Sequence, residues 1–574
     1  MAFQLSPGVN VSEIDLTTVV PSVLTTAGAF TGQFPWGPVG KTILVDSEIT
    51  LSKYFAPQGP TTASAVSFFT AASFLAYGNN LTVVRAANTT SSYNSTANSA
   101  AVSITVNNSD IFQYSYLGQN NGNAYGAFVG KYPGALGNSL TVSVCDSTTS
   151  QFTGWAYNSY FTSAPGTSSY TAALNGANDE IHIVVVDAGG LFTGTKGTVL
   201  ETFPFVSKAS DAANLNDGSS NYYKQVVFNK SQYVYAIDPP SYSTTTVGSG
   251  SWGHTAANTS FTQLTTAQTS QLYNGADGTI TDGDLITAYG LFTNKEQIDI
   301  SLVLTGDASV TVQQYVIDNI SNQRADCVAF ISPQQSQFVT TTPASILTGI
   351  QNWLTSLART SSYVVADSGL KYMYDKYNQV YRWIPLNGDI AGLCVNTDQV
   401  RDPWYSPAGF NRGAIKNAIK LLWSPSKTYR DTLYAAGVNP VVTFPGQGTV
   451  LFGDKTLQAK PSAFDRINVR RLFIVLEKAI AKAAQYSLFE FNDEFTRAQF
   501  VALVTPFLRD VQGRRGITDF RVVCDTTNNT QQVIDSNQFV GDIYIKPARS
   551  INFIQLNFVA VGTGVDFSTV VTNA

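Results

Sequence analysis

The stretch DISLVLTGDASVTVQQYVIDNISNQRADCVAFI (299–331) decides the fold of the central part of this chain. It predicts a strand at Asp299–Leu304, a helix near Val310–Ile320 and a second strand at Cys327–Ile331, because two short apolar runs flank a segment with helical spacing. Two strands joined through a helix are typical of neighbours in a parallel sheet. We therefore predict an α/β region with helices on the faces of a mainly parallel sheet.

The same alternation continues on both sides of this stretch. Upstream it predicts a helix near Leu285–Phe292, and downstream a strand at Tyr363–Ala366. A helix before that strand is predicted from four apolar residues at 3.6-residue spacing, Ile346, Ile350, Trp353 and Leu357.

Residues 23–90 are expected to join the same sheet. Strands are predicted at Thr42–Val45 and Leu81–Arg85 around a helix at Ala63–Tyr77 that ends at Gly78, and a turn at Pro35–Pro38 precedes them. The α/β middle domain is thus discontinuous, comprising residues 23–90 and 271–460.

An inserted region separates these two segments. Residues 91–270 contain 5 Lys, no Arg and 9 Asp plus Glu, and they are rich in Ser, Thr, Asn, Gly and Tyr. Strands are predicted at Ser103–Val106, Leu140–Val144 and Ile181–Val186, separated by turn-rich loops. We predict one or more inserted β-rich outer domains.

The last part of the chain predicts an α+β core domain at residues 461–560. Its expected elements, in order, are a helix at Asp465–Tyr486, a helix from near Thr496 to Gly513 with a capping box at Thr496 and Gln499 and a kink at Pro506, and strands at Phe520–Cys524, Gly541–Ile545 and Ile551–Val561. Residues 1–22 and 561–574 are predicted to be extended arms. The predicted fold class is therefore multidomain, α+β and α/β.

Composition excludes several classes of function. The net charge is −5, from 34 Lys plus Arg against 39 Asp plus Glu, which gives no drive towards nucleic acid or an anionic membrane. We find neither a signal peptide nor an apolar run of membrane-spanning length. Four widely spaced cysteines, Cys145, Cys327, Cys394 and Cys524, indicate reduced packing residues and a reducing cytosol.

Motifs for catalysis or cofactor binding are incomplete. His182 and His254, the only histidines, are interpreted as ordinary surface or loop residues. Gly40-Lys41-Thr42 lacks the first glycine of a phosphate loop, and Gly446-Gln447-Gly448 lacks the third glycine of a dinucleotide fingerprint. Asp277–Asp284 has Thr279 where a calcium loop needs Asp or Asn, so turns and an Asp282 helix cap are favoured over a calcium site. We predict no catalytic residue, cofactor or metal.

Several longer strings occur in a fixed order. They are FDRINVRRLF (464–473), VVCDTTNNT (522–530), IKPARSIN (545–552), DIAGLCVNTD (389–398), FPGQG (444–448) with FGDKTL (452–457), and SPGV (6–9) with Glu13 and WGP (36–38). In these strings the chain resembles the tail sheath proteins of contractile phages, especially those of the T-even type. The inserted region 91–270 has no such string.

The resemblance implies a structural subunit of a contractile tail sheath and not an enzyme. Such subunits stack as hexameric rings around a tail tube in a helical homopolymer, with the C-terminal domain inward, and contract to drive the tube through the host envelope for genome ejection. The implied partners are other copies, the tail tube protein, and baseplate and tail terminator proteins, without nucleic acid or membrane. The implied location is the virion tail, assembled in the host bacterial cytoplasm.

In sheaths of this kind the terminal arms add strands to the C-terminal sheet of adjacent subunits. We expect this exchange to involve two segments, with the residues Val9, Val11 and Glu13 in one and Asp566, Phe567, Val570 and Val571 in the other. We also predict that Arg509, Arg514 and Arg515 face an acidic tube, although a merely solvated turn also explains the last two.

Three other functions are open at this point. A tailocin or a secretion system would use a closely related sheath. An enzyme built on the α/β domain would need a pocket of convergent titratable groups. The Ser/Thr-rich insertion could be a carbohydrate- or cell-binding module, although exposed polar decoration is favoured.

Overall fold

The computed structural model describes residues 23–56, 62–119, 124–147, 149–240, 250–338, 342–552 and 555. The chain divides into two compact units, whose described parts are residues 23–486 and residues 487–552 with Gln555. We call them the large unit and the C-terminal unit.

The bounds of the regular elements follow in chain order. The strands are β1 (Gly28–Gln33), β2 (Thr42–Val45), β3 (Leu81–Ala86), β4 (Phe128–Gly130), β5 (Leu140–Cys145), β6 (Glu180–Asp187), β7 (Thr198–Ser207), β8 (Val234–Ala236), β9 (Gln268–Gln271), β10 (Leu302–Leu304), β11 (Val328–Ile331), β12 (Val364–Asp367), β13 (Leu370–Asp375), β14 (Val380–Pro385), β15 (Lys420–Leu421), β16 (Val438–Asn439), β17 (Val441–Phe444), β18 (Gly448–Leu451), β19 (Ile517–Val523) and β20 (Asp542–Pro547). The α-helices are α1 (Glu48–Phe55), α2 (Thr62–Leu75), α3 (Ser109–Ser115), α4 (Thr149–Gly154), α5 (Ser169–Ala173), α6 (Tyr223–Lys230), α7 (Asp282–Tyr289), α8 (Val310–Tyr315), α9 (Asn322–Arg324), α10 (Pro343–Leu357), α11 (Asn387–Val400), α12 (Lys427–Ala435), α13 (Ile467–Ala484), α14 (Glu494–Gly513) and α15 (Gln531–Asp535).

A seven-stranded sheet forms the centre of the large unit, in the order β16-β12-β11-β10-β1-β3-β2. The strands from β16 to β3 run parallel, and β2 is antiparallel to β3. The predicted parallel sheet is confirmed, as is the prediction that residues 23–90 contribute to it. The predicted helix near Val310–Ile320 begins as α8 and continues as a π-helical turn at Val316–Ser321.

Alternating residues of the central strands fill two cores, one on each face of the sheet. Phe30 and Leu304 belong to the core that α2 and α11 cover, whereas Ala29 and Val303 belong to the core on the opposite face. The predicted stripe of α10, from Ile346 to Leu357, is buried in that second core. A parallel sheet covered on both faces needs this apolar filling on each side.

The strands predicted at Leu140–Val144 and Ile181–Val186 of the inserted region are present as β5 and β6, and helices α3 to α6 lie in the same region. It contains a four-stranded antiparallel sheet in the order β7-β6-β5-β9 and the pair β4-β8. The strand predicted at Ser103–Val106 is wrong, because this segment bonds mainly to one residue: the Asn94 N–H donates to the Ile104 carbonyl, and the Val106 N–H donates to Asn94 Oδ1. The chain enters and leaves the region side by side, where Tyr93 pairs with Ala276.

One buried arginine joins the sheet to the base of this region. Arg85, on β3, donates to the carbonyls of Phe34, Gly37 and Pro133 at 2.7 to 2.8 Å. Trp36, in the predicted turn, is buried against Tyr132 at a ring-centroid distance of 5.4 Å. The turn at Pro35–Pro38 therefore lies at a packed junction within the large unit.

Two predicted helices differ from those observed. The helix predicted at Asp465–Tyr486 is α13, and its Ile467 and Ile474 are buried in the core of the large unit. The capping box predicted at Thr496 is wrong: α14 begins earlier because Asp493 caps it, accepting the Thr496 N–H at 2.8 Å. The predicted domain boundary at residue 461 stays a prediction.

Candidate functional site

The C-terminal unit packs one long helix against a two-stranded sheet. The helix α14 buries Arg497 and an apolar stripe of Phe500, Val504, Leu508 and Val511, which recur every three or four residues. The chain then reverses through Arg514 and Arg515 into β19, which pairs antiparallel with β20. The predicted strands at Phe520–Cys524 and Gly541–Ile545 are thus confirmed, with somewhat different ends.

This sheet has two open edges among the described residues, because β19 and β20 each pair only with the other. An open groove of about 560 Å³ lies between α14 and β19. Its lining is Ala498, Val501, Ala502, Thr505, Pro506, Val522, Cys524 and Asp525. An unpaired strand edge beside an apolar groove is the arrangement that accepts an added strand.

One end of the same sheet is locked by two asparagines from the string VVCDTTNNT. Asn529 exchanges two hydrogen bonds with Val540, its Nδ2 donating to the carbonyl and its Oδ1 accepting the N–H, both at 2.8 Å. Asn528 Nδ2 donates to the Val523 carbonyl at 2.9 Å and to Asp542 Oδ2 at 3.0 Å. These residues hold β19 and β20 together at that end, so the string has a structural explanation.

The three arginines predicted to face the tube lie near the C-terminal end of α14. Arg509, Arg514 and Arg515 are all exposed. Arg514 lies 3.6 Å from the Asp510 carboxylate, and Arg515 has a left-handed backbone with φ 66°. Cations at this end of a helix are favoured by the helix dipole, so the solvated-turn alternative stays open.

The predicted arm residues lie outside the described residues. This holds for Val9, Val11 and Glu13 in the first arm and for Asp566, Phe567, Val570 and Val571 in the second. Of the strand predicted at Ile551–Val561, only Ile551, Asn552 and Gln555 are described, and these three are not in a strand. Strand exchange therefore stays a prediction.

A buried polar network lies next to the place where an α/β sheet commonly binds ligands. Between β1 and β10 the strand order reverses, and crevices at such switch points hold ligands in many enzymes. Here Asn387, the first residue of α11, donates through Nδ2 to the Gly306 carbonyl and to Ser332 Oγ, both at 2.8 Å. Ser332 Oγ in turn donates to Asp367 Oδ2 at 2.5 Å. Asn387, Ser332 and Asp367 are fully or almost fully buried, so the network fixes the ends of β10, β11 and β12 beside the switch point.

The weak motifs have ordinary structural explanations. Lys41 pairs with Asp110, and Gly446 and Gly448 have positive φ angles in the turn between β17 and β18. The predicted Asp282 cap is wrong, because Thr281 caps α7 and exchanges hydrogen bonds with Asp284. Over the described residues, no group of three or more His, Cys, Asp and Glu side chains is arranged to hold a metal ion.

The interpretation of both histidines as surface or loop residues is wrong for one of them. His254 is exposed, but His182 lies on β6 and is fully buried. Its ring stacks on Phe161 at a centroid distance of 4.2 Å, and its Nδ1 accepts the Phe205 N–H at 3.1 Å. Burial lowers the pKa of His182, which favours the neutral ring. The four cysteines are free and buried, as predicted.

No helix in the described ranges combines the length and the apolarity needed to cross a membrane.

Comparison with known proteins decides the family. The chain is 34% identical to the tail sheath protein of Vibrio phage KVP40, over 99% of each chain. It is 32% identical to the tail sheath protein of Enterobacteria phage T4, over 98% of each chain. The chain belongs to the tail sheath protein family. It is thus a structural protein of a contractile bacteriophage tail, and the predicted resemblance is confirmed.

Family models and solved structures agree with this assignment. Residues 278–457 match the phage tail sheath protein central domain, and residues 459–560 match the phage tail sheath C-terminal domain. A sheath tail protein from Listeria innocua has a TM-score of 0.53 at 11% identity, covering 93% of this chain and 97% of its own. The contracted helical sheath of the anti-feeding prophage has a TM-score of 0.50 at 13% identity, covering 97% and 99%. These structures support a shared mixed α/β sheath fold.

One surface feature of this sheath protein was not predicted from the sequence. The segment Leu488–Phe495, which leads into the first residues of α14, exposes Leu488, Phe489, Phe491 and Phe495. Its alternation of aromatic and acidic residues, LFEFNDEF, was the available signal. Since soluble chains seldom expose aromatic residues in such a cluster, the segment is a candidate contact surface.

Proposed function

We propose that this sheath protein polymerises as stacked hexameric rings around a tail tube and contracts, driving the tube through the host envelope for genome ejection. Its partners are other copies of itself, the tube protein, and baseplate and tail terminator proteins, without nucleic acid or membrane. Assembly takes place in the host bacterial cytoplasm. The role is mechanical and not catalytic.

The observation that carries this proposal is the pair of open edges on the β19–β20 sheet, as far as the chain is described, beside an apolar groove. A strand donated to such an edge forms many backbone hydrogen bonds and still lets the joined subunits rotate as rigid bodies. We assign the donated strands to the segments around Val9–Glu13 and Asp566–Val571. Because donor and acceptor surfaces differ, the contact is head-to-tail and extends into an open helical array.

Contraction needs no nucleotide if the extended lattice is assembled in a metastable state. The free energy is then stored in the lattice and released when subunits rotate into better contacts. The buried hydrogen bonds that join Asn387 to the ends of β10 and β11 are in line with a domain that acts as a rigid body.

Negative-stain microscopy of the purified full-length protein tests polymerisation, and we expect long tubules. Deleting residues 1–20 is expected to leave folded, soluble subunits that do not polymerise. A sharper variant replaces Val9 and Val11 by proline, which cannot pair as a strand interior, with threonine at both positions as the matched control. Regular tubules from the proline variant would contradict the strand-exchange model.

A second candidate is the sheath of a phage-derived injection particle, such as a tailocin or a secretion system. The similarity to the anti-feeding prophage sheath favours this candidate. Neighbouring genes distinguish the two: head and terminase genes indicate a phage, whereas an isolated tail cluster or a dedicated recycling ATPase indicates an injection particle.

A further inference from the structure

The exposed segment Leu488–Phe495, here called the aromatic segment, has no cover among the described residues. Its four large apolar side chains are between 62% and 105% exposed. Three acidic residues, Glu490, Asp493 and Glu494, are exposed among them; Asp493 caps α14, and no ion pair joins Glu490 or Glu494 to another described residue. Exposed apolar clusters of this kind mark contact surfaces.

The backbone of the aromatic segment is held in place, so the surface is preformed. Arg497 donates through Nη1 to the carbonyl of Asn492 at 3.2 Å and to its Oδ1 at 2.9 Å. Asn492 Nδ2 donates to the Gln538 carbonyl at 2.7 Å. A preformed surface loses little conformational entropy on binding.

A groove of matching character lies on the large unit. It has a volume of about 590 Å³ and lies beside α1, α2, β13 and the turn before β15. Most of its lining is apolar, including Phe69, Ala72, Ala76, Met373, Ile415 and Ile419. Within it, Ile419 is 58% exposed, which leaves apolar surface for an occupant.

Three lysines belong to the lining of this groove or adjoin it in the chain: Lys376 is a lining residue, Lys416 lies between the lining residues Ile415 and Asn417, and Lys420 follows Ile419. Lys376 pairs with Glu48 at 3.0 Å, which leaves no net charge there. Lys416 and Lys420 form no ion pair with any residue that the structure describes. Lys416 Nζ donates to the Ala76 carbonyl at 2.8 Å, and Lys420 Nζ lies 4.9 Å from the centre of the Tyr372 ring. Two lysines without an ion pair among the described residues therefore adjoin lining residues of the groove in the chain.

We propose that the aromatic segment of one copy docks in this groove of a neighbouring copy. The phenylalanines fill the apolar floor, and Glu490 and Glu494 face Lys416 and Lys420 at the rim. Buried aromatic anchors inside a charged rim are typical of strong protein contacts. The occupant is a second copy because one chain carries both complementary surfaces, and the inference rests on the proposed polymerisation.

Two different surfaces in contact generate a head-to-tail, open array, which matches a helical sheath. The contact is separate from strand exchange, because it uses neither the open edges of the β19–β20 sheet nor the arms. Its charged rim makes it sensitive to salt, since exposed charges are screened within about 8 Å at physiological ionic strength.

Charge reversal and rescue test the docking in the full-length protein. Glu490→Lys with Glu494→Lys, and separately Lys416→Glu with Lys420→Glu, are each expected to raise the protein concentration needed for tubules at least tenfold. The four reversals combined are expected to restore tubules. The matched control, Glu296→Lys with Asp431→Lys on exposed sites elsewhere, is expected to polymerise as the natural protein does. Thermal melting of each variant checks that it folds.

Cysteine pairing identifies the contact directly. Copies with Phe489→Cys are mixed with copies carrying Ile419→Cys, so any disulfide between the new thiols joins two chains; the four natural cysteines are buried. We expect covalent dimers in mixed tubules after mild oxidation. Mixing with Leu215→Cys, an equally exposed site in the inserted region, is expected to give none.

Different results would refute the docking and the proposed polymerisation. Absence of tubules from the natural protein would refute polymerisation itself. Tubules from both double reversals at natural concentrations, or mixed tubules without a disulfide between the Phe489→Cys and Ile419→Cys copies, would refute the docking alone. If tubules require residues 1–20 but are unaffected by the charge reversals, the arms alone hold the lattice together. That result would equally refute the docking.

Discussion

Arg471 binds Asp398 through two parallel hydrogen bonds, from Nη1 to Oδ1 at 2.8 Å and from Nη2 to Oδ2 at 2.6 Å. Both side chains are buried, with 4% and 5% exposure. The pair joins α13 to α11, and thus connects the strings FDRINVRRLF and DIAGLCVNTD. Two of the strings that carried the resemblance are therefore in direct contact within the large unit.

Removing one partner of this pair is expected to lower the free energy of unfolding substantially. Asp398→Asn and Arg471→Met should each lower the free energy of unfolding by about 3–5 kcal/mol, because the remaining charge is buried without compensation. The exposed pair of Arg359 and Asp318, at 2.9 Å, is the control, and Arg359→Gln should cost less than about 1 kcal/mol. Urea unfolding of the dilute subunit measures both. Equal losses at the two sites would contradict the argument.

A close approach of two helices explains a glycine in the string DIAGLCVNTD. A Cβ atom added at Gly392 on α11 would clash with the ring of Tyr77, next to α2. Gly392→Ala is expected to lower the free energy of unfolding by about 1–3 kcal/mol through overpacking. In Gly283→Ala, on α7, the new Cβ meets no atom closer than 3.5 Å. This control should be neutral or slightly stabilising, and a loss as large as that of Gly392→Ala would refute the packing explanation.

The buried carboxyl group of Asp367 is expected to make the stability of the fold depend on pH. Burial raises the pKa of Asp367 to about 8, although hydrogen bonds from Ser332 and Gly369 act in the opposite direction. The folded protein then keeps a proton that the unfolded chain releases above about pH 4. The contribution of Asp367 to stability should therefore be greatest below pH 4 and fall as the pH rises towards 8, by about 1.4 kcal/mol for each pKa unit between the two states. Because Asp367→Asn cannot titrate, its stability should fall less over this range. Parallel curves for the two proteins would contradict the raised pKa.

The tube contact is tested by reversing charge at the end of α14. Arg509→Glu, Arg514→Glu and Arg515→Glu together should prevent assembly on tubes and leave the subunit folded, because the three side chains are exposed. Co-sedimentation with purified tubes and thermal melting are the measurements. Reversal of Lys295 and Lys427, two exposed lysines on the large unit, is the control. Normal sheathed tails from the arginine variant would refute the proposed contact.

Local sequence patterns were sufficient to predict several helices and strands of the central sheet region. The apolar runs and helical spacing in residues 299–331 predicted β10, α8 and β11, and the stripe from Ile346 to Leu357 predicted α10. Such patterns follow from which side chains an element must bury, and that requirement is local. Helix starts were less certain because Asp493 and Thr496 both suit a cap, and only the backbone geometry decides between them.

The sequence patterns did not predict contacts between residues that lie far apart in the chain. His182 was placed on the surface, yet it lies in an aromatic cage formed by Phe161 and Phe205 from other segments. The pairing of Arg471 with Asp398 was equally invisible, because nothing in either string specifies its partner. Burial of a polar side chain depends on what the fold brings beside it.

The sequence by itself determined the family and the parallel character of the central sheet, because each follows from strings or periodicities along the chain. Only the tertiary structure decided that α13 packs into the large unit, that Asn387, Ser332 and Asp367 form one buried network, and that Leu488–Phe495 is left exposed. The reason is that exposure, unlike periodicity, is a property of surfaces that meet only after the chain has folded.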